Sequence, residues 1–204
     1  MRKDNPAQIV RIDGRGCFME VLSDSFDQKN KVHLGFFSYD ESKSEGNRFT
    51  NKVHIFLSFG EALSLSEKIL SGRLIADAQA SARAAGTNFP KEIFKTMGGI
   101  SAANLASMGQ TRPDGKSMAK QLCIYPGTKM PFLLIAANGA GEEVDNGIIK
   151  PVYGNKPDNK VSIAVGEEAM MQFAGLVNAH IHAYLCSQYI SGAFVTSWGQ
   201  QRTS

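Results

Sequence analysis

The sequence predicts an α+β chain of two tandem antiparallel β-meander-plus-helix units, with the helices packed on one side of the sheets. Two observations predict it. One phrase is written three times, as Asn30-Lys31-Val32-His33-Leu34, Asn51-Lys52-Val53-His54-Ile55 and Asn159-Lys160-Val161-Ser162-Ile163. Each copy opens a run in which apolar and polar side chains alternate, the pattern of a strand with one buried face. From Asn51 to Asn159 the offset is 108 residues, and without a gap it superposes Ile55 on Ile163, Leu57 on Val165, Leu65 on Phe173 and Ile69 on Val177. The match therefore runs from a strand into a helix, as a repeated structural unit requires.

The elements follow in order. Ile9 to Leu22 reads as a hairpin, with Asp13-Gly14-Arg15-Gly16 as the turn between Val10-Arg11-Ile12 and Phe18-Met19-Glu20-Val21-Leu22. Lys31 to Tyr39 is the next strand, the polar stretch from Asp40 to Asn47 turns the chain back, and Lys52 to Phe59 completes the meander. From Gly60 the apolar period lengthens to that of a helix through Ala62, Leu65, Ile69 and Ile75, with Glu61 and Glu67 toward the favourable N-terminal side. In the second unit Leu122–Tyr125, Pro131–Ala136, Ile148–Tyr153 and Lys160–Val165 read as short strands between Gly, Asn, Asp and Pro turns. Met170, Phe173, Val177, Ile181 and Tyr184 then form the apolar stripe of a helix from Glu167 to Tyr189. The chain divides accordingly into a first unit over 1–81, a connector over 82–120, a second unit over 121–190 and a tail over 191–204 that contains Trp198. Within the connector, Pro90 to Met97 and Ser101 to Met108 are expected to be short helices, in a stretch that is otherwise mobile.

Composition bounds the function. A 43% hydrophobic and 20% charged content is that of a soluble globular protein, and a net charge of +3 with a pI near 8.7 permits a polyanion partner without requiring one. Cys17, Cys123 and Cys186 are widely spaced and form no C-x-x-C pair, so neither a disulfide framework nor a zinc site is expected. The polar start, Met1 to Pro6, leads into no apolar segment, and the expectation is a cytoplasmic protein that does not enter a membrane.

Successive side chains of a strand point to opposite faces. Val53, Ile55, Leu57 and Phe59 then pack inward while Lys52, His54, Phe56 and Ser58 face water; Val32, Leu34 and Phe36 pack inward opposite Lys31, His33, Gly35 and Phe37. Lys160 and Ser162 likewise stand outside Val161, Ile163 and Val165. A Lys recurs on each outer face, beside His and aromatic rings, and a sheet so equipped can meet phosphates with cations and bases with rings. Ordinary solvated strands are the simpler account of the same alternation.

Other chemistry is poorly supported. Gly109 to Ser117 imitates a phosphate-binding P-loop, but five residues rather than four separate Gly109 from Gly115, and Pro113-Asp114-Gly115 reads as a turn. His180 and His182, two apart on a helix, point to nearly opposite sides, and His33 and His54 lack carboxylate or Cys co-ligands, so no metal is expected. Ser, Cys and His occur without a nucleophile elbow, and Glu142-Glu143-Val144-Asp145 reads as a solvated acidic loop. Neither catalysis nor a cofactor is expected.

The paired N-K-V-x-I strands and the order of elements over residues 9 to 80 and 121 to 190 resemble the Whirly family of single-stranded DNA-binding proteins. The same superfamily includes the transcriptional positive cofactor four, with one such unit, and the mitochondrial guide-RNA-binding proteins of trypanosomes, with two. The Lys-Gly-Lys-Ala-Ala-Leu signature of plant Whirly proteins is absent, and the connector is longer than that of the family. The resemblance implies binding of single-stranded DNA, and RNA as well, with low sequence specificity, in replication, recombination or transfer, on a phage or mobile element, by a homo-oligomer, dimer or tetramer. It implies electrostatic capture by Lys31, Arg48, Lys52, Lys129, Lys150, Lys156 and Lys160, with stacking on Phe37, Phe49, Phe56, Tyr125 or Tyr153, and His33 and His54 on the same faces. The alternative is a protein-interaction or assembly module whose outward rings meet another subunit.

Overall fold

The alternating runs of the N-terminal part fold into a four-stranded antiparallel meander. Strands β1 (Gln8–Gly14), β2 (Cys17–Leu22), β3 (Lys31–Tyr39) and β4 (Phe49–Ser58) pair in chain order, and α1 (Phe26–Lys29) is a single turn between β2 and β3. The computed structural model describes residues 5–86, 88–144 and 147–192; Trp198 with the tail from 193, and Asp145 of the acidic loop, lie outside the described residues. At Ser58 the chain leaves the sheet through a capping box. The Ser58 hydroxyl accepts the Glu61 backbone N–H, the Glu61 carboxylate accepts the Ser58 N–H, and α2 (Phe59–Leu70) begins there. Phe59, expected to end the strand pointing inward, opens this helix instead and meets Phe26 and Tyr184 edge-on, at 4.9 and 5.7 Å between ring centroids. The helical period that runs to Ile75 is broken at Gly72, whose φ of 73° suits a residue without Cβ, and a separate helix, α3 (Arg73–Ala85), follows.

The second sheet repeats that order with one insertion. Strands β5 (Phe94–Ile100), β6 (Ser117–Pro126) and β7 (Phe132–Val144) pair antiparallel in sequence, with α4 (Ala102–Ser107) between β5 and β6. β8 (Ile148–Pro151) joins the end of β7 at Gly141 to Val144, and β9 (Asn159–Val165) pairs with the earlier stretch of β7 from Phe132 to Asn138. α5 (Glu167–Ile190) follows β9 as α2 follows β4. The fold is thus α+β with two antiparallel sheets.

The stretch expected as a connector contributes more than expected. Ser101 to Met108 does contain a helix, capped by the Ser101 hydroxyl, but Pro90 to Met97 does not. Residues from Phe94 onward form β5, and β6 begins at Ser117, ahead of the expected start at 121. Pairing with β6 along its full length overrides the weak local preference of Lys-Thr-Met-Gly-Gly.

One core serves both sheets. Val53, Ile55 and Leu57 of β4 and Val161, Ile163 and Val165 of β9 are buried in a cluster that also holds Leu122, Ile124 and Leu134 of the second sheet. Leu65 and Ile69 of α2 and Phe173 and Val177 of α5 join it, so all four residue pairs of the 108-residue offset meet in one place. The two sheets are also tied by a side chain, where the Cys17 thiol donates to the Ser162 carbonyl oxygen at 3.4 Å. Because the inner faces share this core, the outer faces point away from each other. Replacing Phe173, which is 3% exposed, by Ala is expected to cost about 3–5 kcal/mol. Urea unfolding followed by amide exchange in both sheets checks this: one shared transition is expected, and separate transitions of the two sheets would contradict a common core.

Candidate functional site

Register sets the outward side chains of the first sheet in three rows. Asp13, Phe18, Phe37 and Lys52 form one; Arg11, Glu20, Gly35 and His54 the next; Leu22, His33 and Phe56 the third. The missing side chain at Gly35 matters, because a Cβ there would stand 2.7 Å from the Phe37 ring, which lies across it. Phe37 in turn stacks on Phe18 at 4.9 Å and approaches Phe49 and His54, each at 5.6 Å. His33 stacks on Phe56 at 4.5 Å. The result is a nearly continuous field of rings.

Cations stand over these rings. Lys52 Nζ is 4.9 Å from the Phe49 centroid, Lys29 and Lys120 are 5.0 and 5.5 Å from that of Phe56, and the Arg11 guanidinium lies 3.6 Å from Phe18. Such contacts are worth about 0.5–1 kcal/mol where exposed, as for Lys52 over Phe49, and more where desolvated, as for Arg11 over the buried Phe18. The acids nearby are already engaged. Asp13 and Glu20 pair with Arg11, at 2.7 and 3.0 Å, and Asp24 pairs with His33 at 3.0 Å.

His33 and His54 form a relay. The Asp24 carboxylate can only accept, so His33 donates to it through Nδ1–H at 3.0 Å, and the other ring nitrogen of His33, Nε2, shares a 2.8 Å hydrogen bond with His54 Nδ1. Burial holds the His54 imidazole below its ordinary value near 6.5, and the charges of His33, Lys120 and Lys52 push the same way against a weaker pull from Asp24.

The outer face of the second sheet is built differently. Gln121, Ala137 and Lys160 align across β6, β7 and β9, with Cys123, Ile135 and Ser162 in the next row. Tyr153 folds back over Gly139, where a Cβ would come 2.6 Å from its ring, and its hydroxyl donates to Gln121 Oε1 at 3.4 Å. Burial, with Cys123 beside it, pushes the Tyr125 phenol up to about 12. Tyr125 meets Phe89 edge-on at 5.1 Å, and a hollow of about 360 Å³ is lined by Phe89, Tyr125, Asn155 and Lys160.

The residues singled out in the sequence therefore divide between surfaces. Lys31, His33, Phe37, Phe49, Lys52, His54 and Phe56 belong to the first sheet, and Arg48, exposed just before β4, donates to the Lys43 carbonyl at 3.3 Å. Tyr125, Tyr153 and Lys160 belong to the opposite side, with Lys150 and Lys156 exposed on β8 and the loop after it and Lys129 in the turn before β7. They do not converge on one surface. The P-loop imitation runs into β6 rather than out of a strand, and its Ser117 hydroxyl accepts the Ala102 N–H, while Arg112 pairs with Asp114 and Asp158. His180 and His182 are both exposed on α5, and among the described residues no group of three or more His, Cys, Asp or Glu could hold a metal. No helix among them is long and apolar enough to cross a membrane. No known protein family, curated protein or solved structure matches this chain.

Arg11, Phe18, Asp24, Lys29 and Lys120 also belong to the site, and sequence reasoning passed over them. Phe18 follows from β2 alternation, and Lys120 shares its side of β6 with Leu122 and Ile124, a lysine in core register. The depressed His54 value has a consequence. Below about pH 6.5 the unfolded chain takes up a proton at this position that the folded chain resists, so stability falls as pH drops through that value. In urea titrations between about pH 7 and 5, His54→Gln is expected to show a shallower loss of stability than the parent. An equal loss in both would show that proton uptake at His54 does not set the loss of stability.

Proposed function

We propose that the chain binds single-stranded DNA or RNA with little sequence preference, using the outer face of the first sheet as its platform. One observation carries the reading. Rings of Phe37, Phe49, His54 and Phe56 lie together on an open sheet, cations stand over them, and the acids beside them are tied to Arg11 and His33. Bases stack on such rings irrespective of identity, and Lys31, Arg48 and Lys52 at the margins meet the phosphates. The matching strand order of the two sheets, each followed by a helix, supports a Whirly-like duplicated unit. A homo-oligomer would set several such faces side by side.

The alternative, a protein-interaction module, draws on another surface. Phe89 is 69% exposed beside Met130 at 49%, along a groove of about 550 Å³ that Leu133 and Ala164 also line. Fluorescence anisotropy with labelled oligo-dT of about 20 nucleotides separates the two readings. For three phosphate contacts, affinity is expected to fall about 20-fold between roughly 50 and 200 mM salt. Phe37→Ala and Phe56→Ala are each expected to weaken binding about tenfold, in line with the loss of one stacked base. Lys160→Gln, on the opposite face, is expected to change little. Absence of binding at the lower salt, or loss of binding only with Lys160→Gln, would reject this platform.

A further inference from the structure

Between β4 and β5, where the two sheets approach at one flank, lies a cleft of about 280 Å³. Lys29, Lys31 and Lys120 line it with Phe56, Glu61 and Thr96, and Gly98 forms part of its wall. Its charge does not cancel. Three ammonium groups stand against one carboxylate, which leaves two positive charges. That carboxylate is also fully engaged: Glu61 Oε2 accepts the Ser58 N–H and hydroxyl at 2.9 and 2.7 Å, and Oε1 accepts the Thr96 hydroxyl at 2.9 Å.

Lys120 is the telling residue. It extends from the core-facing side of β6, one alternate position before Leu122, and its ammonium stands 5.5 Å from the Phe56 ring centroid, half-buried. Among the described residues no carboxylate pairs with it; burial first, and then the charge of Lys29, hold its ammonium below the ordinary lysine value. A half-buried cation without a counter-ion destabilises the fold, and an anion from solution would relieve it. Lys29 and Lys31 add donors to the same space, and no Cβ at Gly98 intrudes on it.

We infer that this cleft is a binding site for a phosphate group, carried either by the end of a nucleic-acid strand or by a free phosphate or pyrophosphate ion. Two uncompensated positive charges match a phosphate dianion, and each ammonium offers charge-assisted hydrogen bonds to its oxygens. The stacking rings of Phe37 and Phe49 lie outside the cleft, whereas Phe56, Lys29, Lys31 and Lys120 belong to both surfaces.

Calorimetric titration of the intact chain with inorganic pyrophosphate is the test, together with anisotropy on oligonucleotides that carry a terminal phosphate at either end or none. Pyrophosphate is expected to bind, and Lys120→Gln to weaken it about tenfold, as for the loss of one charge-assisted contact. Gly98→Leu, whose Cβ would meet nothing within 4 Å, is expected to weaken it as much by filling the cleft with every charge in place. Lys91→Gln, away from the cleft, controls for net charge. A preference for phosphorylated ends that vanishes in Lys120→Gln and Gly98→Leu identifies the strand as the source; pyrophosphate binding without that preference identifies the free ion. If pyrophosphate binds in this way but no oligonucleotide does, the cleft stands and the platform falls. If pyrophosphate does not bind and phosphorylated ends confer no advantage, or if neither variant changes either signal, the cleft is not a phosphate site.

Discussion

Val53, Ile55 and Leu57 of β4 meet Val161, Ile163 and Val165 of β9 in one apolar core, and the rest of the molecule is arranged by that contact. A strand has a period of two, so a one-residue slip would drive Lys52, His54 and Phe56 into the interior and expose the aliphatic row. The hydrophobic pattern thereby holds the polar pattern in place. It also turns the two outer faces apart, which is why the basic and aromatic residues of the chain form two surfaces and not one.

The two units share an order of strands and differ in what they show to solvent. On the first sheet, Gly35 lets Phe37 lie flat, and the rings spread from Phe18 to Phe49 without interruption. On the second, Gly139 and Gly141 serve as landing points for Tyr153 and Ile149, so β8 and the loop after it close over one end of the face. Glycine thus opens an aromatic surface in one unit and covers the sheet in the other. A lysine at the equivalent position, Lys52 or Lys160, accordingly has rings beside it in the first sheet and a shallow hollow beside it in the second.

Much of this was legible because alternation is a local signal. The bounds of β3, the inner rows of β4 and β9 and the start of α5 follow from the spacing of Val, Ile, Leu and Phe alone. The 108-residue offset further linked residues that the structure buries together. β5 was not legible, since Lys-Thr-Met-Gly-Gly carries no strand pattern and is ordered by its pairing with β6. The break at Gly72 leaves no mark on the pattern, because the apolar period on either side of it is continuous. In the site, Lys29 and Lys120 escaped notice for a different reason: their importance lies in meeting Phe56 from two distant segments, which no linear spacing encodes.

The proposed nucleic-acid platform is the outer face of the first sheet and not that of the second. Amide chemical-shift mapping of the intact chain with oligo-dT tests that most directly. Shifts concentrated on β3, β4 and the residues around Phe37, His54 and Phe56 are expected. Shifts confined to β6, β7 and β9 around Tyr125 and Lys160, or none at saturating oligonucleotide, would contradict it.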